Sequence, residues 1–229
     1  MKTVSIIQSN YLPWKGYFDL IAASDVFVIY DTAQYTRRDW RNRNRVKTRN
    51  GLRWLTVPVE GGGLRGPIKD VRIGRKAWQD NHLAVLREAY ADCAFFSTAL
   101  SRIEPILRRS YSHLSQLNEA LIREICSILE INTQIAQAQA FPCELSPTMK
   151  LVETCKSLEA TRYLSGPAAQ AYLDVSLFEE ANIEVQWFDY SGYPTYEQPW
   201  GEFEHGVSIF DLLCCSGPEA RQFMKCGMK

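Results

Sequence analysis

The first thirty residues constrain the fold more than any other stretch. Residues 3–7 (TVSII) form a β-branched run that ends before Asn10 and Pro13. Residues 16–23 (GYFDLIAA) place Tyr17, Leu20 and Ile21 on one helical face, and residues 26–30 (VFVIY) are a second apolar run of strand length. Strand, helix and strand in so short a span predict a right-handed βαβ unit. A right-twisted strand feeding a helix packs back onto its sheet only with that hand, so the two strands lie parallel.

The chain then changes character and later returns to alternation. Two short runs, residues 45–48 and 52–59, flank Arg49-Asn50-Gly51 and predict a β-hairpin. Residues 61–63 are three glycines and read as a loop, and residues 68–73 as a further strand. Between residues 76 and 131 apolar residues recur at helical spacing, through Trp78, Leu83, Leu86 and Tyr90, then Leu100, Ile103 and Leu107, then Leu114, Leu117, Leu121 and Ile125. Three helices are expected there, as an insertion or lid beside the sheet. The last third predicts a strand over 133–140, a helix over 147–158 and a strand over 162–164. Helices follow near 167–173 and 176–181, then a strand over 183–190 and helices near 207–215 and 218–224. The expectation is a single α/β domain over residues 1–229: a Rossmann-like, mainly parallel sheet with flanking helices, an inserted β-hairpin and a helical insertion over 76–131.

Composition limits the function classes. Lys plus Arg equals Asp plus Glu, 26 against 26, so the whole molecule has no reason to adhere to nucleic acid or to an anionic membrane. No basic stretch followed by an apolar one opens the chain, and no apolar run reaches the roughly eighteen residues of a membrane span. A soluble, cytoplasmic protein with no membrane span is expected. The seven Cys are odd in number and form no CxxC pair, which argues against a disulfide framework and a structural zinc site. No metal site is expected.

Any attraction for anions must therefore be local, and residues 37–53 supply it with seven Arg and one Lys against the single acid Asp39. Guanidinium forks bind phosphate bidentately, and like charges this close repel until an anion arrives. Arg38, Arg41, Arg43 and Lys47 are the candidate phosphate ligands, with Trp40 and Asn42 beside them. The other reading is a solvated strand face, with Arg41, Arg43, Arg45 and Lys47 on one side and Asn42, Asn44, Val46 and Thr48 on the other. Trp40 and Trp54 would be stacking platforms if the anion were nucleic acid. Charge neutrality elsewhere favours a small phosphorylated ligand and no nucleic acid.

The first βα junction, residues 8–17, lies where parallel sheets carry their ligands, although the chain has neither GxGxxG nor GxxxxGK[ST]. Gln8 and Asn10 are its candidate polar contacts, and Tyr11, Trp14 and Tyr17 its walls. Asp31 holds the equivalent place after the second strand, as a general base or as the partner of an arginine. His205, between Glu204 and Gly206, is the other candidate for proton transfer. Gln34, Ser165, Tyr196 and Ser208 complete the candidate ligand-contacting set. Ser208 and Asp211 also fit a helix N-cap and a first-turn acid. Cys214 and Cys215 read as core thiols more than as nucleophiles, and His82 and His113 as surface residues.

Several motifs together resemble the WbqC-like protein family. They are Gln8-x-Asn-Tyr-Leu-Pro-Trp-x-Gly-Tyr-Phe-x-Leu-Ile21, Asp31-x-x-Gln-Tyr35, Asp39-Trp-Arg-Asn-Arg-Asn44, Lys47-Thr48, Tyr163-Leu-Ser-Gly166 and Ser208-Ile-x-Asp-Leu-Leu213. The resemblance runs almost from end to end. The family pattern has Pro where this chain has Ser9, which predicts a looser turn, and Asp-Val where it has Thr32-Ala33. The resemblance implies surface-polysaccharide (O-antigen) or specialised metabolite biosynthesis, with acyl or aminoacyl transfer to the amine of a nucleotide-activated amino sugar. The implied donor is a thioester on phosphopantetheine or coenzyme A, with an acyl carrier protein as partner. The alternatives are a non-catalytic module that binds the phosphorylated ligand or the carrier protein, and, ranked lower, nucleic-acid binding. Trp14-Lys-Gly-Tyr17 also resembles the HxGH region of nucleotidyltransferase folds with both histidines replaced by aromatics, which argues against nucleotidyl transfer.

Overall fold

A computed structural model describes residues 1–61, 66–75, 77–138 and 145–227. Its strands are β1 (Thr3–Ile7), β2 (Val26–Ile29), β3 (Arg43–Thr48), β4 (Gly51–Thr56), β5 (Gln134–Gln137), β6 (Arg162–Ser165) and β7 (Glu184–Trp187). Five of them form one parallel sheet in the order β5-β2-β1-β6-β7, while β3 and β4 pair as an antiparallel hairpin. This is the Rossmann-like α/β fold that the opening βαβ pattern predicts. Chain order reverses direction at β1, so β1 and β6 flank the topological switch point, where open α/β sheets bind ligands.

Both sheet faces are covered. Val4, Ile6, Val26 and Val28 pack on one side against α5 (Pro147–Ser157) and α6 (Ser176–Glu180), through Leu151, Val152, Cys155 and Phe178. Phe27 and Ile29 point the other way, into a larger cluster built from α1 (Lys15–Ala22), α2 (Gln79–Tyr90), α3 (Phe96–Arg108), α4 (Leu114–Ile128) and α7 (Ile209–Ser216). The unbroken apolar run of β2 follows from this, because each alternate residue meets a different set of helices. In β3 the alternation holds only over residues 43–46, with Asn44 and Val46 buried and Arg43 and Arg45 half-buried; Lys47, expected on the solvated face, is buried as well.

Three segments differ from the sequence expectation. Residues 68–73 are not a strand but a 3-10 turn, Ile68–Asp70, with isolated bridges at Arg72 and Ile73. The Ile68 and Lys69 amides donate to the Ala33 and Asp31 carbonyls, so this segment caps the chain leaving β2 and adds nothing to the sheet. Residues Pro167–Ala171 and Gly217–Phe223 are likewise 3-10 helices. Gly62 and Gly63 of the expected loop, the end of the expected strand over 133–140 and Cys143 lie outside the described residues. No helix among the described residues is long and apolar enough to cross a membrane.

Candidate functional site

The β1–β6 ladder stops early: only Thr3↔Arg162 and Val4↔Tyr163 pair. Beyond them the Ser5 hydroxyl, not a backbone amide, donates to the Leu164 carbonyl at 2.8 Å. Backbone pairing between the two strands ends there, and a crevice of about 770 Å³ lies at their C-terminal ends. Ile7 and Gln8 line it from β1, Tyr30 and Gln34 from the β2 exit, Tyr163 and Ser165 from β6, and Lys69 and Lys150 from its rim. Lys150 lies in the first turn of α5, whose N-cap Ser146 accepts from the Met149 amide. The positive end of that helix therefore borders the same space.

No acid lines the crevice, and neither lysine has a carboxylate within ion-pair distance among the described residues. Lys69, Lys150, Tyr30 and Tyr172 were not legible as site residues in the sequence. Isolated lysines in a chain of balanced charge carry no signal; only the proline before each, at positions 67 and 147, marks a break at which a strand-end loop becomes a turn or helix.

Asp31 is buried, at 2% exposure, and closed off from the crevice lining. The Ser9 amide donates to its Oδ1 at 2.8 Å and the Ser9 hydroxyl to Oδ2 at 2.7 Å, while the Ser115 hydroxyl of α4 donates to Oδ2 as well. The turn at Ser9 is thus not loose. Its amide, which a proline would lack, and its hydroxyl both tie β1 to β2, and Asn118 Nδ2 donates to the same hydroxyl at 3.0 Å.

Arg41 completes this brace. Its Nη1 donates to the carbonyls of Gln8 and Ser9 and to Asn10 Oδ1 at 2.6 Å. Other groups of the basic segment are also turned to the protein's own oxygens. Arg43 donates to the Arg38 carbonyl, Arg45 to the Gly206 carbonyl at 3.1 Å, and Lys47 to Gln198 Oε1 and the Gly201 and Glu202 carbonyls. Asn42 exchanges hydrogen bonds with Val57, and Asn44 Nδ2 holds the Tyr11 and Leu12 carbonyls. Leu12 sits at φ 42, a conformation costing a non-glycine residue of order 1–3 kcal/mol, so Asn44 fixes a strained corner. Arg38, also at positive φ, is exposed.

The remaining expected residues divide among other surroundings. Tyr17 donates to the Gln8 carbonyl, and Tyr11 is fully buried with its hydroxyl 2.8 Å from His82 Nδ1. His82 is therefore a correction: it is 4% exposed, contacts the Thr56 carbonyl through Nε2, and burial pulls its pKa from 6.5 down to about 4. His205 is exposed beside Phe203 and Tyr193, away from the crevice lining; partial burial and then the charge of Lys15 lower its pKa. Ser208 caps α7 by accepting from the Phe210 amide. Asp211 is buried, which raises its pKa, and accepts from Tyr196 and Gln198. Burial also pushes the Cys214 thiol up. Asn10, Trp14 and Trp40 face a second, smaller cleft of about 270 Å³, with Pro13, Asn44, Arg45 and Gly206.

The strand-end crevice thus collects Gln8, Gln34 and Ser165 of the expected set, the small cleft collects Asn10, Trp14 and Trp40, and Asp31 and His205 line neither. Among the described residues no group of three or more His, Cys, Asp or Glu is placed to hold a metal ion.

Residues 8–223 match the sequence model of the WbqC-like protein family. The chain is also similar to the uncharacterized protein Rv1507c of Mycobacterium tuberculosis, 45% identical over 227 residues that cover 98% of each chain. No solved structure matches it.

Proposed function

The chain belongs to the WbqC-like protein family, and on that premise we propose that it binds a phosphorylated small molecule in the strand-end crevice and transfers an acyl or aminoacyl group to the amine of a nucleotide-activated amino sugar or a related amine. The observation that carries this reading is the pair Lys69 and Lys150, without carboxylate partners among the described residues, on the crevice at the C-terminal ends of β1 and β6. Two ammonium groups beside a helix N-terminus, with no carboxylate partner among the described residues, favour a phosphate or pyrophosphate. A volume of about 770 Å³ is in the range of sites that enclose a whole small ligand.

In the transfer the free amine attacks the carbonyl carbon of a thioester, the C–N bond forms as the C–S bond breaks, and the amine's proton leaves with the thiolate as a thiol. No carboxylate or imidazole among the described residues lines the crevice to take that proton first. The lining supplies orientation instead, with Gln8, Gln34 and Ser165 as hydrogen-bonding groups and the lysines as the phosphate hold. The same lack of a lining base favours a second reading, a binding-only role in the same pathway.

Calorimetric titration with coenzyme A and a panel of nucleotide-activated amino sugars tests the site. Saturable binding is expected, weakened about tenfold by Lys150→Ala or Lys69→Ala, as loss of a charge-assisted hydrogen bond implies. Mass spectrometry of the acceptor after incubation with thioesters then separates the readings: a mass gain supports transfer, and binding without gain supports the binding-only role. No binding by any phosphorylated ligand overturns both.

A further inference from the structure

The small cleft beside the β1–α1 loop is distinct from the strand-end crevice: Gln8 lines one and Asn10 the other, and no residue lines both. Two indoles wall it, and both are held by the fold. Trp14 is packed by Tyr190 at 5.2 Å and Tyr193 at 5.8 Å. A Cβ at residue 16 would come within 2.3 Å of its ring, so Gly16 is what lets the indole lie there. Trp40 is 39% exposed and rests 5.4 Å from Trp54, itself 42% exposed, with the Arg45 guanidinium 5.7 Å from the Trp40 ring. Leaving large indole surfaces in water is unfavourable unless something covers them.

The rim sets the chemistry of what covers them. Asn44 is fully engaged, with its amide on the Tyr11 and Leu12 carbonyls and its oxygen accepting from the Arg45 amide. Asn10 Oδ1 is taken by Arg41, which leaves the Asn10 amide as its free group. Arg45 contributes the other donors and a positive charge, and no acid lines the cleft among the described residues. An apolar slot whose rim oxygens are already taken by arginine guanidinium groups and the Arg45 amide, and whose free groups are cationic or amide donors, repels ammonium groups and suits a ring edged with carbonyl oxygens better than a sugar, whose hydroxyls also need acceptors. A volume of about 270 Å³ holds one ring system.

We propose that this cleft is a base-binding subsite for a pyrimidinedione ring, such as the base of a uridine or thymidine nucleotide, stacked between Trp14 and Trp40 and read at its carbonyl edge by Asn10 and Arg45. It deepens the proposed function and rests on that reading only in taking the ligand to be a nucleotide.

The test uses uridine and thymidine, which carry no phosphate, titrated while tryptophan fluorescence is followed. Saturable quenching is expected, with affinity reduced about tenfold in Trp40→Ala, as loss of one stacking platform implies, and less in Asn10→Ala. Trp40→Phe keeps an aromatic face and should retain most of the affinity, which separates stacking from a general loss of structure. No saturable quenching at millimolar nucleoside, equal affinity in Trp40→Ala, or quenching by N-acetylglucosamine in place of the nucleosides would each overturn the proposal. Pyrophosphate, which has no ring, reports the strand-end crevice separately. Nucleoside quenching without pyrophosphate binding leaves this subsite standing while removing the phosphate reading.

Discussion

Asp31 holds two strand ends and a helix at one point, because the Ser9 amide, the Ser9 hydroxyl and the Ser115 hydroxyl all donate to its carboxylate. Removing it strands buried donors, each of which costs about 1–3 kcal/mol when left unpaired. Asp31→Ala is therefore expected to lower stability by about 3 kcal/mol in urea unfolding, and an unchanged midpoint would count against the brace. The sequence marks Asp31 as a strand-end carboxylate but says nothing of Ser115, 84 residues away, which makes it a brace. His82 departs from its expected surface position for a similar reason, since its partners Tyr11 and Thr56 come from other elements. Its pKa falls from 6.5 to about 4 in the folded chain, so the unfolded chain binds the proton first as pH drops. Stability should fall as pH goes from 6.5 to 4, by up to about 3 kcal/mol from this group. His82→Gln should flatten that part of the pH profile, and a profile of unchanged slope would show that other groups dominate it.

The elements that carried a strong local signal appear where the sequence puts them. The hairpin of β3 and β4 turns at Arg49 and Asn50, with Thr48 paired to Gly51 at φ +98. A Cβ at Gly51 would meet nothing within 4 Å, so Gly51→Ala isolates the backbone cost, expected at about 1–2 kcal/mol by thermal unfolding. No loss would show that the turn relaxes to another conformation. Residues 68–73 do not form the expected strand: with Lys69, Asp70 and Arg72 among three apolar residues the segment carries no clear period, and amides donating to the β2 exit decide its shape. The arginine segment was legible as a hairpin strand, yet Arg41, Arg45 and Lys47 each meet backbone carbonyls supplied by other loops or turns, and Arg43 meets that of Arg38 within the segment.

Across the whole molecule, balanced charge hides an uneven distribution. Ion pairs such as Arg87–Glu104 and Arg123–Glu119 neutralise the helical surface, while the strand-end crevice keeps two lysines and no acid among its described lining. Binding of an anionic ligand there should weaken as salt rises from roughly 0.01 to 1 M, over which the Debye length shrinks from about 30 to 3 Å. The Lys69→Ala, Lys150→Ala double variant should lose most of that dependence; a salt-independent affinity in the unaltered protein would place the ligand elsewhere. By itself the sequence determined the alternation of strands and helices, the parallel sheet and the hairpin, because periodicity, turn chemistry and crossover handedness are properties of contiguous residues. Only the tertiary structure decided which polar groups stay free. That depends on where the β1–β6 ladder stops, on Lys69 and Lys150 meeting across a crevice, and on which carbonyls reach the arginines first, all of them contacts between residues far apart in the chain.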